Sequence, residues 1–322
     1  MKLATFTTQQ DPNPRVGVVT DKDRAIVDLA LALSQAGYDP SVAGSMQDVI
    51  EGGPDCIAMI RTAIDSYLGH VLQIGEVRLL APLPRPVQIR DCMCFEEHLV
   101  GSSQAAMRLT GQNQPSERSL KMHEIFKVRP IYYKANRMAV VGPDTQIHWP
   151  AYSKLMDYEL EMGCVIGKTG RDISRNDARA HIFGFMIFND FSARDTQGME
   201  MESGLGPSKS KDFDGANAMG PWIVTIDEFY PDSAVMTVRV NGEVRSIGNS
   251  SSMTVKFEDL IAFISTSETL HAGEILGSGT VGGGCGLEAG KLLADGDVIE
   301  LEVEGIGTLR NTVFAAKQEN QV

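Results

Sequence analysis

Asp157-Tyr158-Glu159-Leu160-Glu161-Met162-Gly163-Cys164-Val165-Ile166 is the stretch on which the fold of this chain turns. Tyr158, Leu160, Met162, Cys164 and Ile166 alternate with Asp157, Glu159, Glu161, Gly163 and Val165. That period of two predicts a half-buried strand with both glutamates on one face. No Lys or Arg is interleaved, so the two carboxylates repel one another unless a cation lies between them. Taken alone, the triplet Glu159-Leu160-Glu161 reads as a solvated acidic strand face, and a bound divalent metal is the other resolution. Downstream, Asn189-Asp190 closes the apolar run that starts at Ile182.

Outward from this stretch the chain is mostly strands with sparse helices, an α+β class weighted to β. Pro221-Trp222-Ile223-Val224-Thr225 and Met236-Thr237-Val238-Arg239-Val240 are strand-like, and Asn241-Gly242 is a hairpin signal. Phe257 to Ile264 has helical spacing, and Asp297 to Val303 alternates again before Gly305 and Gly307. Toward the N-terminus, Val16 to Val19 and Arg24 to Asp28 predict short strands around a turn at Thr20 to Asp23. Helices are expected near 29–36 and 55–68. The prolines of Ala81-Pro82-Leu83-Pro84-Arg85-Pro86 can continue neither a helix nor a central strand. The expected division is therefore a small β-rich module over 1–84 and a catalytic domain over 85–322.

Composition narrows the function. The 322 residues are 43% hydrophobic and 22% charged, ordinary for a globular chain. A net charge of −13 argues against nucleic-acid and anionic-membrane partners. It leaves room for an anionic substrate, because Lys, Arg or a metal can reverse the field inside a cleft. Met1 to Thr8 lacks the apolar stretch of a signal peptide, and the run from Ile182 to Phe188 is far too short to span a bilayer. Five cysteines (Cys56, Cys92, Cys94, Cys164, Cys285) with no Cys-x-x-Cys spacing suit reduced thiols in a cytoplasm.

Gly277-Ser278-Gly279-Thr280-Val281-Gly282 matches the dinucleotide fingerprint by letter. That fingerprint needs a helix immediately after it, and Gly283, Gly284 and Gly286 oppose one. No organic cofactor is expected. The better expectation is a flexible turn that brings backbone close to a ligand.

Read forward, the polar residues form a series. Asp91 precedes His98 by seven residues. Glu159-x-Glu161 follows, then Asn189-Asp190-Phe191-Ser192-Ala193-Arg194-Asp195-Thr196-Gln197, then Leu205-Gly206-Pro207-Ser208-Lys209-Ser210-Lys211. Gly277-Ser278-Gly279-Thr280 and Gly286-Leu287-Glu288 end it. From about Arg90 to Asn311 this resembles the fumarylacetoacetate hydrolase family. The resemblance implies a catalytic domain of rolled-up mixed β-structure with its cleft at the strand ends, a small N-terminal β module and a homodimer. By the same likeness Asp91, Glu159, Glu161 and Asp190 correspond to the metal carboxylates. His98 with Glu288 corresponds to the base dyad, and Lys211, Gln197, Arg194, Tyr133 and Thr280 to positions lining the substrate. Two departures lie where a substrate tail would bind: Met107, with Arg108 beside it, stands where members cleaving fumarylacetoacetate carry arginine, and the segment from Lys211 to Trp222 is long. Gly101 stands where the decarboxylase and acylpyruvase branch places a glutamate three residues after its histidine.

Four carboxylates offer only hard oxygen ligands, which select Mg²⁺, with Mn²⁺ or Ca²⁺ as alternatives. His98 falls at the start of a helix expected over Phe95 to Leu109, with Glu96 and Glu97 beside it. His70, His123, His148, His181 and His271 have no such company and read as structural or surface residues. Arg194 and Asp195 are expected to pair as neighbours, and Cys92 and Cys94 to pack. The expectation is a cytoplasmic, Mg²⁺-dependent hydrolase of a carbon–carbon bond in a small 1,3-diketo acid. His98, oriented by Glu288, would activate water, and Lys211 with Gln197 would meet the oxyanion. The alternative is a lyase, hydratase or decarboxylase acting on a 2-keto acid such as oxaloacetate. A silent binding protein would have lost some of these residues.

Overall fold

The computed structural model describes residues 1–316. Its backbone is a twelve-stranded mixed sheet and a separate five-stranded sheet. The path through the large sheet runs Leu72–Gln73, Ala25–Asp28, Arg15–Thr20, Lys2–Thr8, Asn217–Thr225, Ile182–Asp190, Leu160–Ile166, Ile275–Gly277, Ile89–Cys92, Tyr132–Ala135. Ile275–Gly277 and Ile89–Cys92 run parallel, and the other pairs along this path are antiparallel.

The Leu160–Ile166 strand is buried at every residue, so the expected half-buried strand is corrected to one covered on both faces. Leu160, Met162, Cys164 and Ile166 enter one apolar cluster, whereas Val165 enters the other. The neighbouring Ile182–Asp190 strand does the same, with Phe185 and Ile187 on one side and Met186 and Phe188 on the other. A near-continuous apolar run is the mark of a strand buried on both faces. Each fully buried Leu, Ile or Phe contributes about 1.5–3 kcal/mol. Carboxylates at the ends of such strands are therefore held in apolar surroundings.

Residues 1–84 contribute strands to the same sheet. Lys2–Thr8 pairs with Asn217–Thr225 through Lys2↔Val224 and Leu3↔Ile223. The amino terminus donates to Thr225 Oγ1 at 2.7 Å, tying the chain start to that strand. The helices expected near 29–36 and 55–68 lie at Leu29–Gln35 and Gly53–Asp65. The first is capped by Asp28, whose Oδ1 accepts from Leu31 N at 3.1 Å. In the five-stranded sheet, the Asn241 hairpin joins Val235–Val240 to Glu243–Asn249 with φ 53° at Asn241. Among the described residues no helix is long and apolar enough to cross a membrane.

Candidate active site

Strand register assembles the site. Asp91 lies opposite Gly277, Gly277 opposite Gly163, Glu161 opposite Phe188, and Asp190 opposite Asn217. Asp91, Glu161 and Asp190 thus stand at one end of neighbouring strands, with Gly277 on the strand between Asp91 and Glu161. A Cβ at Gly277 would fall 2.6 Å from Asp91 Oδ1 and 2.9 Å from Glu161 Oε2. The missing side chain is what lets the two carboxylates meet. The turn after Gly277 is buried rather than the flexible loop expected. Cys94 N donates to Ser278 O at 3.0 Å, Met162 N to Ser278 Oγ at 3.0 Å, and Gly279 N to Glu161 Oε2 at 3.0 Å. Thr280 is buried in that turn.

Oxygens of Asp91, Glu159, Glu161 and Asp190 all lie within 4.8 Å of one another, and all four residues are buried. Burial, then the charge of Asp190, pushes the Asp91 carboxyl well above its usual range. Burial, then Asp91, does the same to Glu161. Burial raises Asp190 too, although Lys211 opposes it. Glu159 goes the other way: burial would raise it, but Lys211 and then Arg194 hold it well below the carboxylate range.

Lys211 is delivered by the loop after the Arg194–Glu202 helix. Glu200 accepts from Ser208 N at 2.9 Å and from Ser210 Oγ at 2.7 Å, folding the Leu205-Gly206-Pro207 segment back on the helix. Burial of Glu200 is outweighed by these bonds, and its carboxyl is held down to about 2. Lys211, 2% exposed, bonds Glu159 Oε2 at 2.6 Å, Asp190 Oδ2, and Asp190 O at 3.4 Å. Its three donors are therefore spent on protein, and none is directed at a substrate oxyanion as expected. Tyr133, opposite Asp91 in register, donates from its hydroxyl to Asp190 Oδ2 at 2.7 Å. Arg194 does not pair with Asp195. Its Nε meets Asp157 Oδ2 at 2.8 Å, Nη2 meets Glu159 Oε1 at 2.8 Å, and Nη1 meets Gln197 Oε1 at 2.9 Å. Asp195 turns away to Ser153 Oγ at 2.6 Å and Lys154 N at 2.8 Å.

His98 lies in the first turn of the Glu96–Thr110 helix and is buried. Its Nδ1 is 3.4 Å from Glu288 Oε1, and its Nε2 is 3.9 Å from Glu159 Oε1. The imidazole thus spans from Glu288 to the edge of the carboxylate cage. The sequence signature of the fumarylacetoacetate (FAA) hydrolase C-terminal domain matches residues 91–314. The chain belongs to the fumarylacetoacetate hydrolase family.

Three members of this family illustrate the likeness. "Oxaloacetate tautomerase fahd2, mitochondrial" of Xenopus laevis is 31% identical over 97% of this chain and 90% of its own. "Oxaloacetate tautomerase YisK" of Bacillus subtilis is 31% identical over 92% of this chain and 95% of its own. A solved fumarylacetoacetate hydrolase from Exiguobacterium antarcticum superposes with a TM-score of 0.75 at 28% identity, covering 98% of this chain and 100% of that one. Family members are enzymes that act on small keto acids and bind a divalent metal.

The residues present fit such a metal. Asp91 Oδ1, Glu161 Oε1 and Asp190 Oδ1 are buried and have no hydrogen-bond partner. Buried acceptors without partners are costly, and a divalent cation matches hard oxygens of this kind.

One residue that holds the site together was not singled out from the sequence. Asp157, 0% exposed, accepts from Gly286 N at 2.7 Å and Leu287 N at 2.9 Å while also bonding Arg194. It fixes the start of the Gly286–Ala289 helix that carries Glu288. Its signal was present: Asp157 shares the Glu159 and Glu161 face of the strand pattern. Gly101 also finds its place here, because a Cβ there would fall 2.2 Å from Glu288 Oε1. The space beside His98 on its own helix is filled by Glu288 from a distant segment.

Proposed function

We propose that this chain is a metal-dependent tautomerase of a small 2-keto acid, oxaloacetate or a close analogue, interconverting its keto and enol forms. The observation that carries the reading is the His98–Glu288 pair at the edge of a four-carboxylate cage, in a chain 31% identical over 97% of its length to an oxaloacetate tautomerase. This favours the 2-keto acid alternative over the carbon–carbon hydrolase that the sequence first suggested. The reaction type itself, tautomerisation, lies outside the lyase, hydration and decarboxylation chemistry named for that alternative.

Asp91, Glu159, Glu161 and Asp190 would hold the metal, with Mg²⁺ the first choice for an all-oxygen set. When bound, the metal would supply a Lewis acid that acidifies the C–H beside the substrate's ketone. His98 Nε2, facing the cage, takes the C3 proton. Glu288 Oε1, 3.4 Å from Nδ1, would stabilise the imidazolium by its charge. The same imidazole returns a proton to the former keto oxygen. No water is consumed and no carbon–carbon bond breaks. Lys211, Arg194 and Tyr133 neutralise and orient the cage, while Gln197 and Thr280 remain proposed substrate contacts. The proposal includes a homodimer and a cytoplasmic setting, the latter supported by five free, buried cysteines.

The test follows the ultraviolet decay of enol-oxaloacetate with the Mg²⁺-loaded protein, alongside carbon dioxide release and product analysis with a panel of diketo acids in ¹⁸O-water. Enol decay well above background, with deuterium entering C3 in D₂O, is the expected result. Faster cleavage of any diketo acid into two acids, one carrying ¹⁸O, would overturn the tautomerase and restore the hydrolase.

A further inference from the structure

We propose that His98, Glu288 and Cys285 form a second, softer metal site beside the carboxylate cage, and that Zn²⁺ bound there arrests the enzyme. A ring nitrogen of His98, a carboxylate oxygen of Glu288 and the Sγ of Cys285 lie within 4.8 Å of one another. His98 Nδ1 is 3.4 Å from Glu288 Oε1, and Cys285 Sγ is 3.5 Å from Glu288 Oε2. Cys285 is 0% exposed and His98 8%. His98 Nδ1 is buried with no hydrogen-bond partner, a lone nitrogen turned into this group.

The two donor sets divide by hardness. Oxygen alone suits Mg²⁺, whereas one nitrogen, one sulfur and one oxygen suit Zn²⁺ or Co²⁺. Charge agrees. A thiolate and a carboxylate cancel the two positive charges of the ion, so the filled site is formally neutral in its buried surroundings. A coordinating thiol gives up its proton to solvent on binding. Three protein ligands leave the fourth tetrahedral position for water.

Arrest follows from imidazole chemistry. With Nδ1 bound to zinc, the neutral ring carries its one proton on Nε2, which then has no lone pair for a substrate proton. The inhibition rests on the tautomerase reading of His98; the site itself does not.

The experiment uses the full-length, Mg²⁺-saturated enzyme. Co²⁺ titration should produce a thiolate-to-cobalt charge-transfer band that saturates at one equivalent and is bleached by Zn²⁺. Cys285→Ser and Cys285→Ala should both lose it, two variants guarding against a folding defect in either. Zn²⁺ should inhibit at about one equivalent, unrelieved by excess Mg²⁺. The zinc needed for half-inhibition, each protein measured against its own zinc-free rate, should rise on the order of tenfold or more in the variants. A band that survives in both variants would assign the sulfur to another of the five cysteines and overturn the proposal. So would the absence of any band, or zinc inhibition reversed by Mg²⁺. A band lost in the variants but without inhibition would uphold the site and refute the role given to His98.

Discussion

Replacing Glu161 by glutamine should change the protein's stability in opposite directions with and without metal. Glu161 Oε1 and Asp91 Oδ1 are both buried acceptors without a partner, and the two side chains are within hydrogen-bonding reach. A glutamine keeps one oxygen for the Gly279 N–H, now 3.0 Å from Glu161 Oε2, and turns an amide donor toward Asp91. Satisfying buried groups in this way is worth about 1–3 kcal/mol. At roughly 2 °C per kcal/mol for a chain of this size, chelator-stripped Glu161→Gln should melt about 2–6 °C above the stripped native protein. With Mg²⁺ the order reverses. Ligand at a thousand times its Kd stabilises the native protein by about 4.1 kcal/mol, or ~8 °C, more than the variant's head start, and a variant lacking one of four ligands loses most of that. The pH sign follows from Glu161, which burial and then Asp91 push up, and from Asp91, which burial and then Asp190 push up. A raised folded-state pKa contributes stability that is present at low pH and lost as pH rises through it. The stripped native protein should therefore melt progressively lower above the ordinary carboxylate range, and Glu161→Gln should fall less steeply. Differential scanning fluorimetry of stripped and Mg²⁺-saturated samples reads all of this. Equal drops in Tm with and without metal, or an undiminished Mg²⁺ shift in the variant, would refute the cage.

Three further outcomes are expected. His98→Ala should keep the Mg²⁺-induced thermal shift while turnover falls by roughly two to four decades, read as kcat in the enol-oxaloacetate assay. Gly101→Ala should be stabilised by about 1 kcal/mol, as an interior helix glycine replaced by alanine, yet lose ~10–100-fold in kcat because its Cβ displaces the Glu288 carboxylate; unchanged kcat would show that the position of Glu288 does not matter. Asp157→Asn should lower kcat by a similar ~10–100-fold and cost about 3 kcal/mol in denaturant unfolding, since Arg194 keeps only Glu159 as an ionic partner.

How much of this was legible in the sequence depends on how local each cause is. The alternation through Glu159 and Glu161 is a strand property, and the strand starts at Leu160, with Glu161 inside it and Glu159 one residue before, in a bridge to Cys285. The hairpin at Asn241-Gly242 and the helix starting beside His98 are equally local and equally visible. That Leu160–Ile166 is buried on both faces was not, because burial of the acidic face depends on helices and strands that arrive from elsewhere. The pairing of Arg194 escaped for the same reason: adjacency to Asp195 suggested a neighbour pair, but a helix start turns successive side chains apart. Lys211 was expected both to offset the negative charge of the cage and to meet a substrate oxygen; the first is what its Nζ does, on partners 52 and 21 residues away.

Asp157 and Gly101 make the sharper case, since neither carries chemistry of its own. Both act through Glu288, which reaches His98 from 190 residues downstream, the difference between positions 288 and 98. Asp157 sets the backbone that presents Glu288, and Gly101 leaves the space its carboxylate occupies. A carboxylate supplied from the histidine's own helix would need neither a buried cap at 157 nor a bare position at 101. Supplying it from a separate four-residue helix requires both. The glycine that reads in the sequence as a missing glutamate is therefore the vacancy into which the working glutamate fits, and the pair should be gained or lost together. Gly101→Glu combined with Glu288→Ala is the direct check: if carboxylate position alone matters, the double variant should recover at least tenfold of the kcat lost by Glu288→Ala. A double variant no faster than that single one would show that Glu288 does more than stand beside His98.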